Sequence, residues 1–151
     1  MKKIFTVTLT LLLFFVTGCG GAESPTAEKN LNPQIEVNKI KLQVGEKIFE
    51  VALENNSSAE KFAEKLPLEI TMNELNGNEK YYKFAENFPS KDEHIGEIHE
   101  GDLMLYNSSY VVLFYKNFST SYNYTRLGKI LNAEGLRETV GNGNIKVKFE
   151  K

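Results

Sequence analysis

The side chains best suited to chemistry or recognition are crowded into one stretch. All seven tyrosines (Tyr81, Tyr82, Tyr106, Tyr110, Tyr115, Tyr122 and Tyr124) fall between positions 81 and 124. Within that stretch, Phe114 to Arg126 reads Phe-Tyr-Lys-Asn-Phe-Ser-Thr-Ser-Tyr-Asn-Tyr-Thr-Arg, which mixes rings with hydroxyls and amides. Rings with polar tips suit a surface that binds peptides or small flat molecules, because each offers a large contact area at low entropic cost. Tyr81, Tyr106 and Tyr110 lie in strand-like segments and are read as barrel core. Tyr115, Tyr122 and Tyr124 are the candidate ligand-binding rings. Arg126, one of only two arginines, stands beside them. It could grip a carboxylate or phosphate with its planar fork, or form a surface ion pair of little energetic value.

Other chemistry is poorly supplied. His94 and His99, with Asp92, Glu93, Glu97, Glu100 and Asp102, are the only cluster of metal-ligating types. Their odd spacing sends the two imidazoles to opposite faces of an extended chain, so no metal site is expected. A Gly-rich phosphate loop, a nucleophile elbow and a Cys-x-x-Cys pair are all missing. No cofactor is expected and no catalytic residue is assigned. With 18 basic and 20 acidic residues in 151, the net charge is -2. That argues against a nucleic-acid surface, which needs a basic stripe to displace counterions.

The single cysteine belongs to an address. Lys2 and Lys3 precede an apolar run from Ile4 to Val16, interrupted only by threonines and short for a bilayer span. The run ends in Val16-Thr17-Gly18-Cys19, which resembles a bacterial lipobox. The resemblance implies a signal peptide at 1–18 and a diacylglycerol on the Cys19 thiol. The protein would then be extracytoplasmic and held at the bacterial cell membrane by lipid, since stable anchoring takes more than one acyl chain. Residues 19–35, rich in Gly, Glu, Asn and Pro, have almost nothing to bury and read as a flexible tether. Residues 36–151 form the folded domain.

The elements that must carry the rings are mostly strands. Ile40, Leu42 and Val44 alternate with polar residues, Gly45-Glu46 turns the chain, and Phe49, Val51 and Leu53 alternate again, which predicts a hairpin over 37–53. Ser57-Ser58-Ala59-Glu60 fits a capping box with Ser57 as N-cap. Ala59, Phe62, Ala63 and Leu66 then share one helical face, and Pro67 stops the helix. Strands are expected at Leu68–Met72, Lys80–Phe84, Leu103–Tyr106, Tyr110–Phe114 and Thr125–Ile130, and again where Ile145, Val147 and Phe149 alternate. Tyr-Val-Val-Leu-Phe at 110–114 has no polar alternation, so it should be buried on both faces. A short helical turn is expected within 132–140. Seven or eight short strands with one good helix suggest a β-barrel or sandwich.

Several motifs recur in a familiar order: Leu66-Pro67-Leu68, Asn76-Gly77-Asn78-Glu79-Lys80-Tyr81, Gly101-Asp102-Leu103-Met104-Leu105-Tyr106, Val112-Leu113-Phe114-Tyr115 and Tyr124-Thr125-Arg126-Leu127-Gly128-Lys129-Ile130. Together they resemble the bacterial cyclophilin-like domain family over about 38–150. The resemblance implies a mainly β fold, a closed eight-stranded barrel with about two short helices. True cyclophilins isomerise X-Pro bonds with an arginine on an early barrel strand, and here no arginine precedes Arg126. Lysine does not replace its donor fork. By the match at Gly128-Lys129-Ile130, Tyr124 falls about where cyclophilins carry a pocket histidine. The expectation is therefore a lipid-anchored, non-catalytic module for an unknown peptide or small molecule. The alternative is a peptidyl-prolyl cis-trans isomerase acting as an extracytoplasmic folding factor.

Overall fold

The computed structural model describes residues 38–151. The expected signal peptide at 1–18, Cys19 and the expected tether at 19–35 lie outside the described residues. Eight antiparallel strands close into a ring: β1 (Lys39–Val44), β2 (Lys47–Leu53), β3 (Leu68–Leu75), β4 (Glu79–Lys83), β7 (Asp102–Tyr106), β8 (Tyr110–Phe114), β10 (Asn123–Ile130) and β11 (Ile145–Glu150). Around the ring the order is β2-β1-β11-β3-β4-β8-β7-β10, and β10 pairs back onto β2 to close it. The ring has no free edge, which removes the template for intermolecular strand addition. Three two-residue strands lie outside it: β5 (Glu93–His94) on the start of β10, and β6 (Glu97–Ile98) with β9 (Phe118–Ser119) as a separate pair. The helices are α1 (Ser57–Ala63) and α2 (Leu136–Val140).

Local sequence accounts for the joints. Asn76 and Gly77 both take positive φ (56° and 69°) in the short loop, Asn76 to Asn78, between β3 and β4, where the Asn78 N–H donates to the Leu75 carbonyl at 3.3 Å. The closing seam depends on Gly128. A Cβ there would come within 2.5 Å of the Ala52 carbonyl oxygen on β2. A register shift between Arg126 and Gly128 brings β10 up to both β7 and β2.

The N-cap of α1 is Asn56, one residue earlier than the capping-box pattern predicts. Its Oδ1 accepts the Ala59 N–H at 2.9 Å while its Nδ2 donates to the Arg126 carbonyl at 2.9 Å. One side chain thus caps the helix and ties it to β10, which the Ser57 hydroxyl would not do. Ser58, inside the helix, donates to the Pro89 carbonyl instead.

Apolar residues are sorted into two clusters on opposite faces of the same strands. Leu103, Leu105, Val111 and Leu113 point into the barrel with Leu42, Phe62, Met72 and Phe149. Met104, Val112, Phe114 and Tyr124 point outward and pack with Ile98 in a second cluster. Val111 to Phe114 are buried on both faces, as the unbroken apolar run at 110–114 predicts.

Candidate functional site

The outer face of β4, β8, β7 and β10 does not end in solvent. The chain from Asn117 to Tyr122 crosses beside it and is held by its own bonds. Ile98 pairs with Phe118 and Glu97 with Ser119. Thr120 N–H donates to the Gly96 carbonyl at 2.8 Å, and Glu100 N–H to Asn117 Oδ1 at 2.7 Å. Between this segment and the sheet is a cavity of about 570 Å³. That volume lies within the roughly 300–1,000 Å³ of small-molecule sites.

Its walls follow from strand parity. In β4, Lys80 turns into the barrel, so Glu79 and Tyr81 turn outward. Tyr106 and Tyr110 face each other across the β7–β8 hairpin, in register with Met104 opposite Val112 on the same outer face. Tyr124 comes from β10, Phe118 to Tyr122 form the far wall, and Leu75, Asn76 and Asn78 come from the β3–β4 hairpin. Five tyrosines (81, 106, 110, 122 and 124) therefore line one cavity. Their rings form a connected arc. Tyr81 and Tyr110 are 6.1 Å apart, Tyr110 and Tyr106 6.2 Å, Tyr106 and Tyr122 6.0 Å, and Tyr106 and Tyr124 5.5 Å. All are inclined at 49° or more, so the rings curve round the space rather than stacking.

Glu79 is the charged residue of this lining. Burial pushes its carboxyl up from 4.5 to about 7, and the neighbouring Glu74 carboxylate adds to the rise. A titratable group so displaced within a cavity marks a candidate functional site. Tyr124 is pushed up to about 12, first by burial and then by the charge of Glu79.

Behind the hairpin, on the barrel side, lies a different polar group. Lys80 is fully buried, and its ammonium is bonded to the Glu74 carboxylate and to the Gly141 and Gly143 carbonyls at 2.8 and 2.7 Å. Glu74 also accepts the Gly77 N–H and the Tyr115 hydroxyl, each at 2.8 Å. Burial alone would raise the Glu74 carboxyl, but Lys80 and Tyr115 more than offset this and hold it below its ordinary value. Every ammonium proton is matched, which is the condition for a buried charge to be tolerated. This network pins the Asn76-Gly77 turn and the strand that carries Glu79.

A family model described as the cyclophilin-like family matches residues 42–150. The chain belongs to that family. One solved structure, the solution structure of a hypothetical protein from Archaeoglobus fulgidus, aligns with a TM-score of 0.52 at 20% identity. The match covers 74% of this chain and 92% of that one. At such identity the likeness concerns the fold alone. No curated protein matches the chain.

In this cyclophilin-like domain, Tyr122 and Tyr124 line the cavity, whereas Tyr115 and Arg126 do not. Tyr115 is the next inward residue after Val111 and Leu113. It is 2% exposed, with its hydroxyl on Glu74. Burial and that bond push its hydroxyl up to about 12. Arg126 lies on the outer surface, where its Nε donates to Glu93 Oε1 at 3.2 Å between two well-exposed side chains. Tyr81, Tyr106 and Tyr110, read from sequence as core, line the cavity, because an outward position on this sheet is covered by the 117–122 segment. That covering is non-local, but the pairing of Tyr106 with Tyr110 about Asn107-Ser108-Ser109 was the available signal. Glu79 carried no sequence signal.

His99 has its Nδ1 3.8 Å from Asp102, and His94 lies in β5. Among the described residues, no group of three or more His, Cys, Asp or Glu is placed to hold a metal ion. No helix among them is long and apolar enough to cross a membrane.

Proposed function

We propose that this chain is a lipid-anchored, extracytoplasmic binding module whose cyclophilin-like domain takes a small molecule or short peptide in the tyrosine-lined cavity. One observation carries the binding reading: five tyrosines and a displaced carboxyl from four separate segments converge on one space of ligand size. The anchoring half rests on Val16-Thr17-Gly18-Cys19, with lipid on Cys19 and residues 19–35 as the tether. The fold by itself assigns no activity. Prolyl isomerisation needs a donor fixed against the twisted amide, and no arginine lines this cavity.

The test is a titration of the ¹⁵N-labelled full chain, purified in a nonionic detergent, with benzyl alcohol and with acetyl-Ala-Pro-Ala-amide. The expected result is saturable amide shifts confined to β4, the β7–β8 hairpin and 117–124, produced by at least one probe. Shifts scattered over the barrel, or centred on Arg126 and Glu93, would refute the assignment of the site.

A further inference from the structure

The chemistry of the lining narrows the ligand. We infer that the cavity takes an organic cation, an ammonium or guanidinium on an apolar body, with Glu79 as counter-ion and the tyrosine rings as walls. The inference rests on the binding reading above and deepens it.

Three observations point the same way. The first is charge. Glu79 stands in the lining with no lysine, arginine or histidine beside it. No hydrogen bond or ion pair from the described residues accounts for its state, which burial and the like charge of Glu74 set. None of the nearby lysines forms an ion pair with it. Lys80 is turned into the barrel on Glu74, and Lys116 lies over the Tyr115 ring at 5.8 Å. A carboxylate partly withdrawn from water with no cation beside it is destabilised, and a ligand cation relieves that cost.

The second is the shape of the walls. An aromatic face carries negative charge density and attracts an ammonium within about 6 Å of the ring centre, more strongly where water is excluded. Four rings, those of Tyr81, Tyr110, Tyr106 and Tyr124, line this one space at different tilts. The chain already uses one of them in this way: Lys83 Nζ sits 5.3 Å over the Tyr110 ring. An anion would instead meet the Glu79 carboxylate and the negative faces of the rings.

The third is an unanswered acceptor. Asn78, next to Glu79 and in the same lining, has its Oδ1 shielded from solvent and without a hydrogen-bond partner. Buried acceptors are nearly always matched. About 570 Å³ leaves room for a ring or alkyl body beyond the charged head.

The experiment is isothermal titration calorimetry on the full chain in nonionic detergent, at pH 8, with three probes of similar size: benzyltrimethylammonium, benzyl alcohol and benzoate. We expect the cation to bind at least tenfold more tightly than the alcohol, and benzoate not to bind. Glu79→Gln should weaken the cation about tenfold more than it weakens the alcohol. Tyr106→Leu, which leaves the counter-ion in place, should also weaken the cation. An n-pentylamine titration run beside acetyl-Ala-Lys-Ala-amide separates a free amine from a lysine side chain as the source; preferential binding of either supports the inference. Equal binding of alcohol and cation, binding of benzoate, or cation affinity unchanged in Glu79→Gln overturns it while leaving the binding module intact. Silence from every probe, neutral ones included, overturns both.

Discussion

Replacing Glu79 by glutamine should make the domain more stable, but only at pH values where the carboxyl would be ionised. Glutamine keeps the shape and removes the charge. In the unfolded chain this carboxyl titrates near 4.5; in the folded domain burial raises it to about 7. The native state therefore holds a proton that the unfolded state has already lost between those values. Linkage then requires the stability of the wild-type chain to fall as pH rises from 4.5 to 7, with the full penalty present above 7. At about 1.36 kcal/mol per decade the ceiling is about 3.4 kcal/mol. The cavity opens to solvent, and screening reduces this to about 1–2 kcal/mol. Urea denaturation followed by far-ultraviolet circular dichroism reads it directly. With a slope of about 1.5–2 kcal/mol per molar, the Glu79→Gln midpoint at pH 8.5 should lie roughly 0.5–1.3 M above wild type. At pH 4 the two curves should coincide. A glutamine variant equally or less stable at pH 8.5 would show that the carboxylate is well solvated or already paired, and would remove the electrostatic basis for the site. A gain that persisted at pH 4 would mean that packing, and not ionisation, was the cause.

Tyr115→Phe removes the hydroxyl from Glu74 and should cost about 1.5–3 kcal/mol, the range for a bond to a charged acceptor, read from denaturant unfolding. It should leave probe binding in the cavity unchanged, because Tyr115 faces the barrel. Gly128→Ala drives a methyl to 2.5 Å from a backbone oxygen of β2 and should cost about 2–3 kcal/mol or more, read as a lower thermal midpoint. An alanine variant of wild-type stability would mean that the seam is looser than described. Cys19→Ser should leave the protein unacylated, as uncleaved precursor or soluble product; fractionation showing wild-type processing and lipid retention would defeat the lipobox reading. In a protease-coupled assay on an X-Pro peptide, turnover should not exceed background. Activity above it, abolished in Arg126→Ala, would establish the isomerase instead.

Much of the architecture was legible because strands and turns are local. Alternation at Ile40–Val44 and Ile145–Phe149 marks strands whose one face is buried, and Asn76-Gly77 marks a turn that only positive φ permits. The doubly apolar run at 110–114 already implied a strand covered on both sides. The N-cap was misplaced by one residue because Asn56 and Ser57 are both capable caps. Asn56 prevails through its second bond, to the Arg126 carbonyl 70 positions away.

The site itself was only half legible. Composition and order along the chain located the tyrosines within one stretch, and of the candidate rings Tyr122 and Tyr124 line the cavity. Which other rings join them depended on sheet parity and on what covers each face. Tyr115 carries the hydroxyl and loop setting of a ligand residue, yet its parity with Leu113 turns it inward, where Glu74 happens to accept its proton. Tyr106 and Tyr110 look like core and face the cavity because the segment beginning at Asn117, beyond the end of β8, folds over them. The pKa of Glu79 is the furthest from sequence. A glutamate between an asparagine and a lysine reads as solvated surface. Only the closed barrel and the crossing segment take water from it, and desolvation is a property of the assembled surroundings rather than of the residue.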